Sequence, residues 1–170
     1  MYEKINIYFF LFAIFSIVFL ITNCSTVKYA TPQPIKTDLT LKNLPANSTK
    51  INIVDYRLNK HADDMCSRVY TQLMQLLAQE NASSDYAYIL TVDVIEYKSF
   101  FTFAKWHREI DIKASLSIET GEILGSWDIA ETTERFNMWG YGTAKEVLQE
   151  AYEKALSKLI ASINQVLLDK

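Results

Sequence analysis

An unbroken apolar run over residues 8–21, ending three positions before Cys24, constrains this chain more than any other feature. Signal-peptide apolar cores take about 7–15 residues, whereas a spanning helix needs about 20. The run FFLFAIFSIVFLI is therefore long for a secretory core and short for a span. Counted from Ile5 to Thr22 it could just cross a bilayer. Either way the first 23 residues belong to a membrane or to the machinery that inserts proteins into one. Residues 24–170 have to supply the folded part.

The stretch after Cys24 is polar and proline-bearing, with Pro32 and Pro34 favouring extended backbone. An apolar leader, a cysteine and an extended polar segment together resemble a bacterial lipoprotein signal. That resemblance implies cleavage before Cys24 and lipid attached to it. The three residues ahead of Cys24 are Ile21, Thr22 and Asn23, whereas the usual signal has Leu three positions before the cysteine and a small residue next to it. An uncleaved signal anchor and an ordinary secretory peptide stay open as alternatives. If lipidation holds, Ser25 after the cysteine implies the outer membrane of the bacterial envelope by the usual sorting rule. The expected organisation is a signal peptide at 1–23, a lipidated N-terminus and extended tether at 24–50 that becomes an entry segment with Leu39, Leu41 and Leu44 on the domain edge, and one domain at 51–170.

A domain of this length buries enough surface to fold without disulfides. Cys66 is then the only other cysteine, on the apolar face of an expected helix, and reads as an inert thiol. The formal net charge of −3, with no basic stripe, argues against nucleic acid as a partner. Four glycines in the whole chain cannot build a phosphate-cradling loop.

Periodicity lays out the domain. Ile51 and Ile53 alternate with Val54 and Tyr56 on the two faces of a short strand. Residues 61–80 read as a helix, with Ala62, Met65, Cys66, Val69, Leu73, Leu76 and Leu77 on one stripe. Residues 86–98 alternate as a strand with bulk on both faces, the mark of a central position. A second strand at about 108–119 sets Ile110, Ile112, Ala114, Leu116 and Ile118 against a solvated face. Thr120-Gly121 makes a turn into a third strand, 122–136, with Ile123, Gly125, Trp127 and Ile129 on one face. Thr143 and Glu146 have capping-box spacing ahead of a long closing helix. The fold class expected is α+β, in the order β-α-β-β-β-α. Its four-stranded, mainly antiparallel sheet carries two helices on one face.

Two aromatic stretches stand out. Phe100, Phe101, Phe103 and Trp106 fall in what reads as the connection between two strands, and Trp139 and Tyr141 precede the last helix. Large aromatics exposed at a hairpin tip mark contact with protein or lipid. The competing reading is that they continue the strands and pack inward. Enzyme chemistry has little to work with. His61 and His107 have no metal-binding spacing, Asp93 and Glu96 fall on opposite faces of a strand, and no nucleophile elbow or Cys–His pairing occurs. No cofactor or metal is expected.

Residues 85–94, DYAYILTVDV, and 117–127, SIETGEILGSW, resemble a strand and a hairpin shared by several bacterial envelope lipoproteins. These are the lipopolysaccharide-assembly lipoprotein (LptE-like), the auxiliary lipoproteins of envelope ABC transporters, and the periplasmic domain of curli-secretion lipoproteins. The resemblance spans about residues 51–168 and implies a small α/β layer without enzymatic activity. It also implies a partner in the envelope, a β-barrel or a transporter component. A lipid- or glycolipid-binding carrier using a cleft between helices and sheet, or a surface-exposed binding lipoprotein, is the alternative.

Overall fold

The alternation of apolar and polar residues along 88–136 is deep enough to form three long strands in succession, and in the computed structural model they pair as a meander. The structure describes residues 31–35, 40–58, 64–78, 87–102, 105–136 and 141–168. In chain order the elements are β1 (Leu41–Pro45), β2 (Thr49–Asp55), α1 (Met65–Leu76), β3 (Leu77–Ala78), β4 (Tyr88–Thr102), β5 (Lys105–Ile118), β6 (Ile123–Phe136) and α2 (Tyr141–Leu168). The main sheet has the order β2-β4-β5-β6. β2 runs parallel to β4, as a strand–helix–strand unit requires, and the other two pairings are antiparallel. The α+β class and the central place of β4 follow as the sequence pattern implies.

β5 sets the pattern for the inner face. Trp106, Arg108, Ile110, Ile112, Ala114, Leu116 and Ile118 are buried, while the residues between them are at least partly exposed. α2 lies over this face and closes it with Val147, Leu148, Ala151, Tyr152, Ala155, Leu156, Leu159, Ile160 and Ile163. α1 packs beside β2 with Met65, Val69, Leu73 and Leu76, and all these side chains belong to one core. The opposite face of the sheet has no helix over it among the described residues. It carries the ion pairs Lys98–Glu96 (3.1 Å), Lys98–Glu109 (2.8 Å), Lys105–Glu134 (2.9 Å) and Lys113–Asp128 (3.6 Å).

Several boundaries move. The packed domain begins ahead of residue 51, inside the stretch expected to be tether. Leu41 and Leu44 are fully buried, β1 pairs in parallel with β3, and Ile35 is buried as well. β1 packs against α2, and Thr40 just ahead of it is held by Asn164 near the end of that helix. The helix expected over 61–80 ends at Leu76, because Leu77 turns to extended backbone and joins β1. Its leading residues and the turn expected at 81–85 lie outside the described residues. At its start, Asp64 has left-handed backbone (φ 52) and makes no side-chain cap.

Ile123 is 67 % exposed, away from the face expected for it. The register shifts between Leu116 and Ser117, so that Gly125 opposes Leu116 while Ile123 opposes Ser117. One extra residue in β6 reverses the facing of everything before it, leaving Leu124 against the core and Ile123 outside. The turn ahead of it is as expected. Gly121 takes φ +93, which disfavours side chains, and donates its N–H to the Ile118 carbonyl at 2.9 Å. α2 starts at Tyr141, so Thr143 lies inside the helix and does not cap it.

Candidate functional site

β4 and β5 run on past the point where the sequence pattern loses its clean alternation. β4 reaches Thr102 and β5 begins at Lys105, with Phe100 opposite His107 and Phe101 opposite Trp106. The stretch expected as a connection is therefore paired strand for most of its length. Aromatic residues suit a pleated ladder, which is why apolar bulk on both faces did not end the strands. A shift of register between Val94 and Glu96 sets the facing here. Beyond it Tyr97, Ser99 and Phe101 look inward, and Lys98 and Phe100 look outward.

This facing separates the aromatics. Trp106 is 7 % exposed, on the inner face, with Phe101 tilted against it at 5.2 Å between ring centroids. Phe100 is half-buried on the open face and stacks on His107 at 5.0 Å, nearly parallel. His107 Nδ1 lies 3.2 Å from Glu134 Oε1, and Lys105 Nζ reaches Glu134 Oε2 at 2.9 Å. Phe136, at the end of β6 and opposite Lys105, is 71 % exposed. In the sequence it opens the second aromatic stretch, which runs from Phe136 to Tyr141. Phe103 and Trp139 lie outside the described residues, as does the side chain of Tyr141. Cys24 lies outside them too.

Beneath the aromatics a buried cation fixes the helix to the sheet. Arg108 is 4 % exposed on β5 and donates from Nη1 to the Val147 carbonyl (2.6 Å) and to Glu150 (3.0 Å). Lys154 adds a contact to Glu150 at 3.0 Å, and Arg135 lies 3.6 Å away. The Arg108 hydrogen bond, then that of Lys154, holds the Glu150 carboxyl down at about 2 against the opposing effect of burial. A second ion pair, between Lys158 and Glu131, ties the middle of α2 to β6. On the open face, burial and then the neighbouring Asp128 push Asp111 above its ordinary value, while the hydrogen bond to Glu109 raises Lys98. Burial likewise pushes the Tyr152 phenol up.

The entering chain lies along α2. The Gln33 N–H donates to Gln149 Oε1 (2.8 Å), and Gln149 Nε2 donates back to the Gln33 carbonyl (3.0 Å). The Ile35 N–H donates to the buried Gln72 Oε1 (2.9 Å), and Asn164 Nδ2 donates to the Thr40 carbonyl (2.8 Å). The helices and the sheet share one core of buried side chains. A recess of about 330 Å³ lies at the other end of the sheet. Asn47, Ser48, Thr49, Lys50, Ala87, Tyr88, Ile89 and Glu119 line it. It is open to solvent.

No protein-family model matches the chain, and a search of curated proteins finds no relative. Among solved structures it is similar to protein XCC0632 of Xanthomonas campestris, of the DUF330 family. The TM-score is 0.54 at 10 % identity, over 82 % of this chain and 95 % of that one. The two chains share a fold. Weaker likenesses are to lipoprotein GNA1162 of Neisseria meningitidis, with a TM-score of 0.36 at 12 % identity over 67 % of this chain and 99 % of that one. A PelC dodecamer from Paraburkholderia phytofirmans gives 0.34 at 14 % identity over 76 % of this chain and 95 % of that one.

Proposed function

We propose that this chain is a bacterial envelope lipoprotein, anchored by lipid on Cys24 at the outer membrane, that acts without enzymatic activity as an adaptor or accessory subunit of an envelope assembly or transport complex. The observation that carries the reading is the division of the sheet into two unlike faces. One face carries the hydrophobic core, closed by α1 and α2. The other presents a ladder of charged pairs that ends in Phe100 and Phe136, with the edge of β6 beside it. Such a surface suits contact with a partner better than turnover of a substrate. The partner in this reading is an integral β-barrel or a transporter component. Phe100 and Phe101, backed by Trp106 from beneath, are the described residues of a partner or lipid contact, and Phe103, Trp139 and Tyr141 complete the set in sequence. Shared fold with a DUF330 protein is compatible with this role and specifies no partner.

Intact mass of the membrane-extracted protein tests the anchor, with Cys24→Ala as control. The expected mass is that of residues 24–170 plus acyl and diacylglyceryl groups, absent from the control. A full-length mass without lipid overturns the lipoprotein reading. Photo-crosslinking from position 113, exposed on the open face, in native membranes tests the role, and crosslinks to one integral envelope protein are expected.

A further inference from the structure

The hydrogen bonds of the entering chain fix where a tether must leave the domain. Thr40 is held at Asn164, near the end of α2, and Gln33 is held at Gln149, in its first half. Followed backwards, the chain therefore travels along α2 toward its start. The early part of α2 lies against the aromatic end of the sheet, since Arg135, next to Phe136, is 3.6 Å from Glu150, and Arg108 donates to Val147 and Glu150. Gln149 lies eight positions into the helix from Tyr141, about 12 Å at 1.5 Å per residue. The exit point is thus about 12 Å from the aromatic end of the sheet. The far end, at the Gly121 turn, is about 30 Å away, because β5 alone spans about 43 Å.

Cys24 is nine positions upstream of Gln33, and those nine residues cannot reach beyond about 30 Å in any conformation. A lipid on Cys24 consequently brings the aromatic end to the bilayer with length to spare. Presenting the far end requires the whole tether at full extension, folded back along the domain. The chemistry of the near end agrees. Phe136 is strongly exposed, Phe100 and Phe101 are partly so, and Lys105 and Arg135 beside them are each about half exposed. Lys105 and Arg135 are balanced there by Glu134 and Glu150, so the rings carry the argument: exposed aromatics settle at the headgroup boundary of a membrane.

We propose that the end of the sheet carrying Phe100, Phe101 and Phe136 rests on the same lipid surface that holds Cys24. This orients the open face and the β6 edge sideways, toward neighbours in the plane of the membrane. The inference rests on the anchored-lipoprotein reading above.

The test uses the full membrane-extracted protein, reconstituted in phosphatidylethanolamine–phosphatidylglycerol vesicles. Nitroxide labels are placed by Phe136→Cys or Ile123→Cys in a Cys66→Ala background. Both positions are exposed and stand at opposite ends of β6 on the open face. Lys105→Cys, also exposed, replaces Phe136→Cys if that variant fails to fold. Collision with oxygen is expected to rise, and with an aqueous nickel reagent to fall, at 136 and not at 123. Both labels in water on a protein whose mass shows lipid overturns the docking and leaves the anchor standing. Labels at 136 shielded only in native membranes and not in vesicles also overturns it, in favour of a protein partner. A mass without lipid, on a protein that does not stay with the vesicles, overturns both readings.

Discussion

Arg108 on β5 and Glu150 on α2 are joined at 3.0 Å across the helix–sheet interface, and the same guanidinium nitrogen also donates to the Val147 carbonyl. A cation this deeply buried is tolerated because a carboxylate and a helix carbonyl share its charge. Removing it leaves the Val147 carbonyl without this donor and Glu150 with Lys154 and Arg135 alone. Arg108→Ala is expected to lower stability by about 2–4 kcal/mol, the range for breaking a largely buried ion pair from one side. Chemical denaturation of wild type and variant checks this, and a change below about 1 kcal/mol would mark the pair as a surface one.

The same pair makes stability sensitive to acid in a definite direction. Glu150 has its folded value held at about 2, below its ordinary 4.5. A depressed acid contributes stability that is complete above its unfolded value and is lost as pH falls toward the folded one. The stability difference between wild type and Glu150→Gln should therefore shrink between about pH 5 and pH 2. More than a third of the Glu150 side chain is exposed, so screening trims the effect, and it should diminish further in high salt. A difference that grows on acidification would contradict the assignment.

Much of this fold is legible in the sequence because β4, β5 and α2 bury regular stripes. Ile110 to Leu116 alternates cleanly, and α2 repeats Leu148, Ala151, Tyr152 and Ala155 at helical spacing. What escapes pattern reasoning is anything decided by one residue of register. The extra residue near Leu124 reverses Ile123, and the shift beyond Val94 decides that Phe101 looks in while Phe100 looks out. Strand length also escaped, because aromatics at 100, 101 and 106 read equally well as strand or loop. The packing of Leu41 and Leu44 on the domain is legible, but the strand that carries them is not, because its partner Leu77–Ala78 is too short to leave a periodic signal. The place of Ile35 depends on Gln72, a polar residue on an apolar stripe whose purpose appears only once the chain crosses it.

That glutamine can be tested directly. Gln72 is buried and its Oε1 accepts the Ile35 N–H. Gln72→Leu keeps the volume and the apolar stripe of α1 but leaves a buried donor without an acceptor. The expected cost is about 1–3 kcal/mol. Limited proteolysis should also cut faster near residue 35, because the strap is held there by few other bonds. Unchanged proteolysis would mean that Ile35 is held by packing alone.

Gly125 is expected to resist enlargement for reasons of space. A Cβ built there would fall 2.6 Å from Trp127 Cζ2 and 2.9 Å from Cη2. Trp127 packs against the core, so its ring has to shift off that surface to make room. Gly125→Ala should cost about 1–3 kcal/mol, the usual range for overpacking. Near-ultraviolet circular dichroism should report a changed indole environment alongside the loss. A variant as stable as wild type would show that the ring can rotate away freely.

The two aromatics flanking the tip should separate cleanly on substitution. Trp106 is almost fully buried against Phe101, whereas Phe136 stands in solvent at the same end of the sheet. Trp106→Ser should therefore cost about 3–5 kcal/mol, as loss of a core aromatic does. Phe136→Ser should change stability by less than about 0.5 kcal/mol, as a surface substitution does. If the end of the sheet is a contact site, function in the envelope should follow the opposite order among folded variants. Phe136→Ser would lose partner or membrane contact at full stability, while a conservative Trp106→Phe would keep it at reduced stability. Equal and large stability losses at 106 and 136 would place both rings in the core and remove the exposed aromatic end on which the contact argument stands.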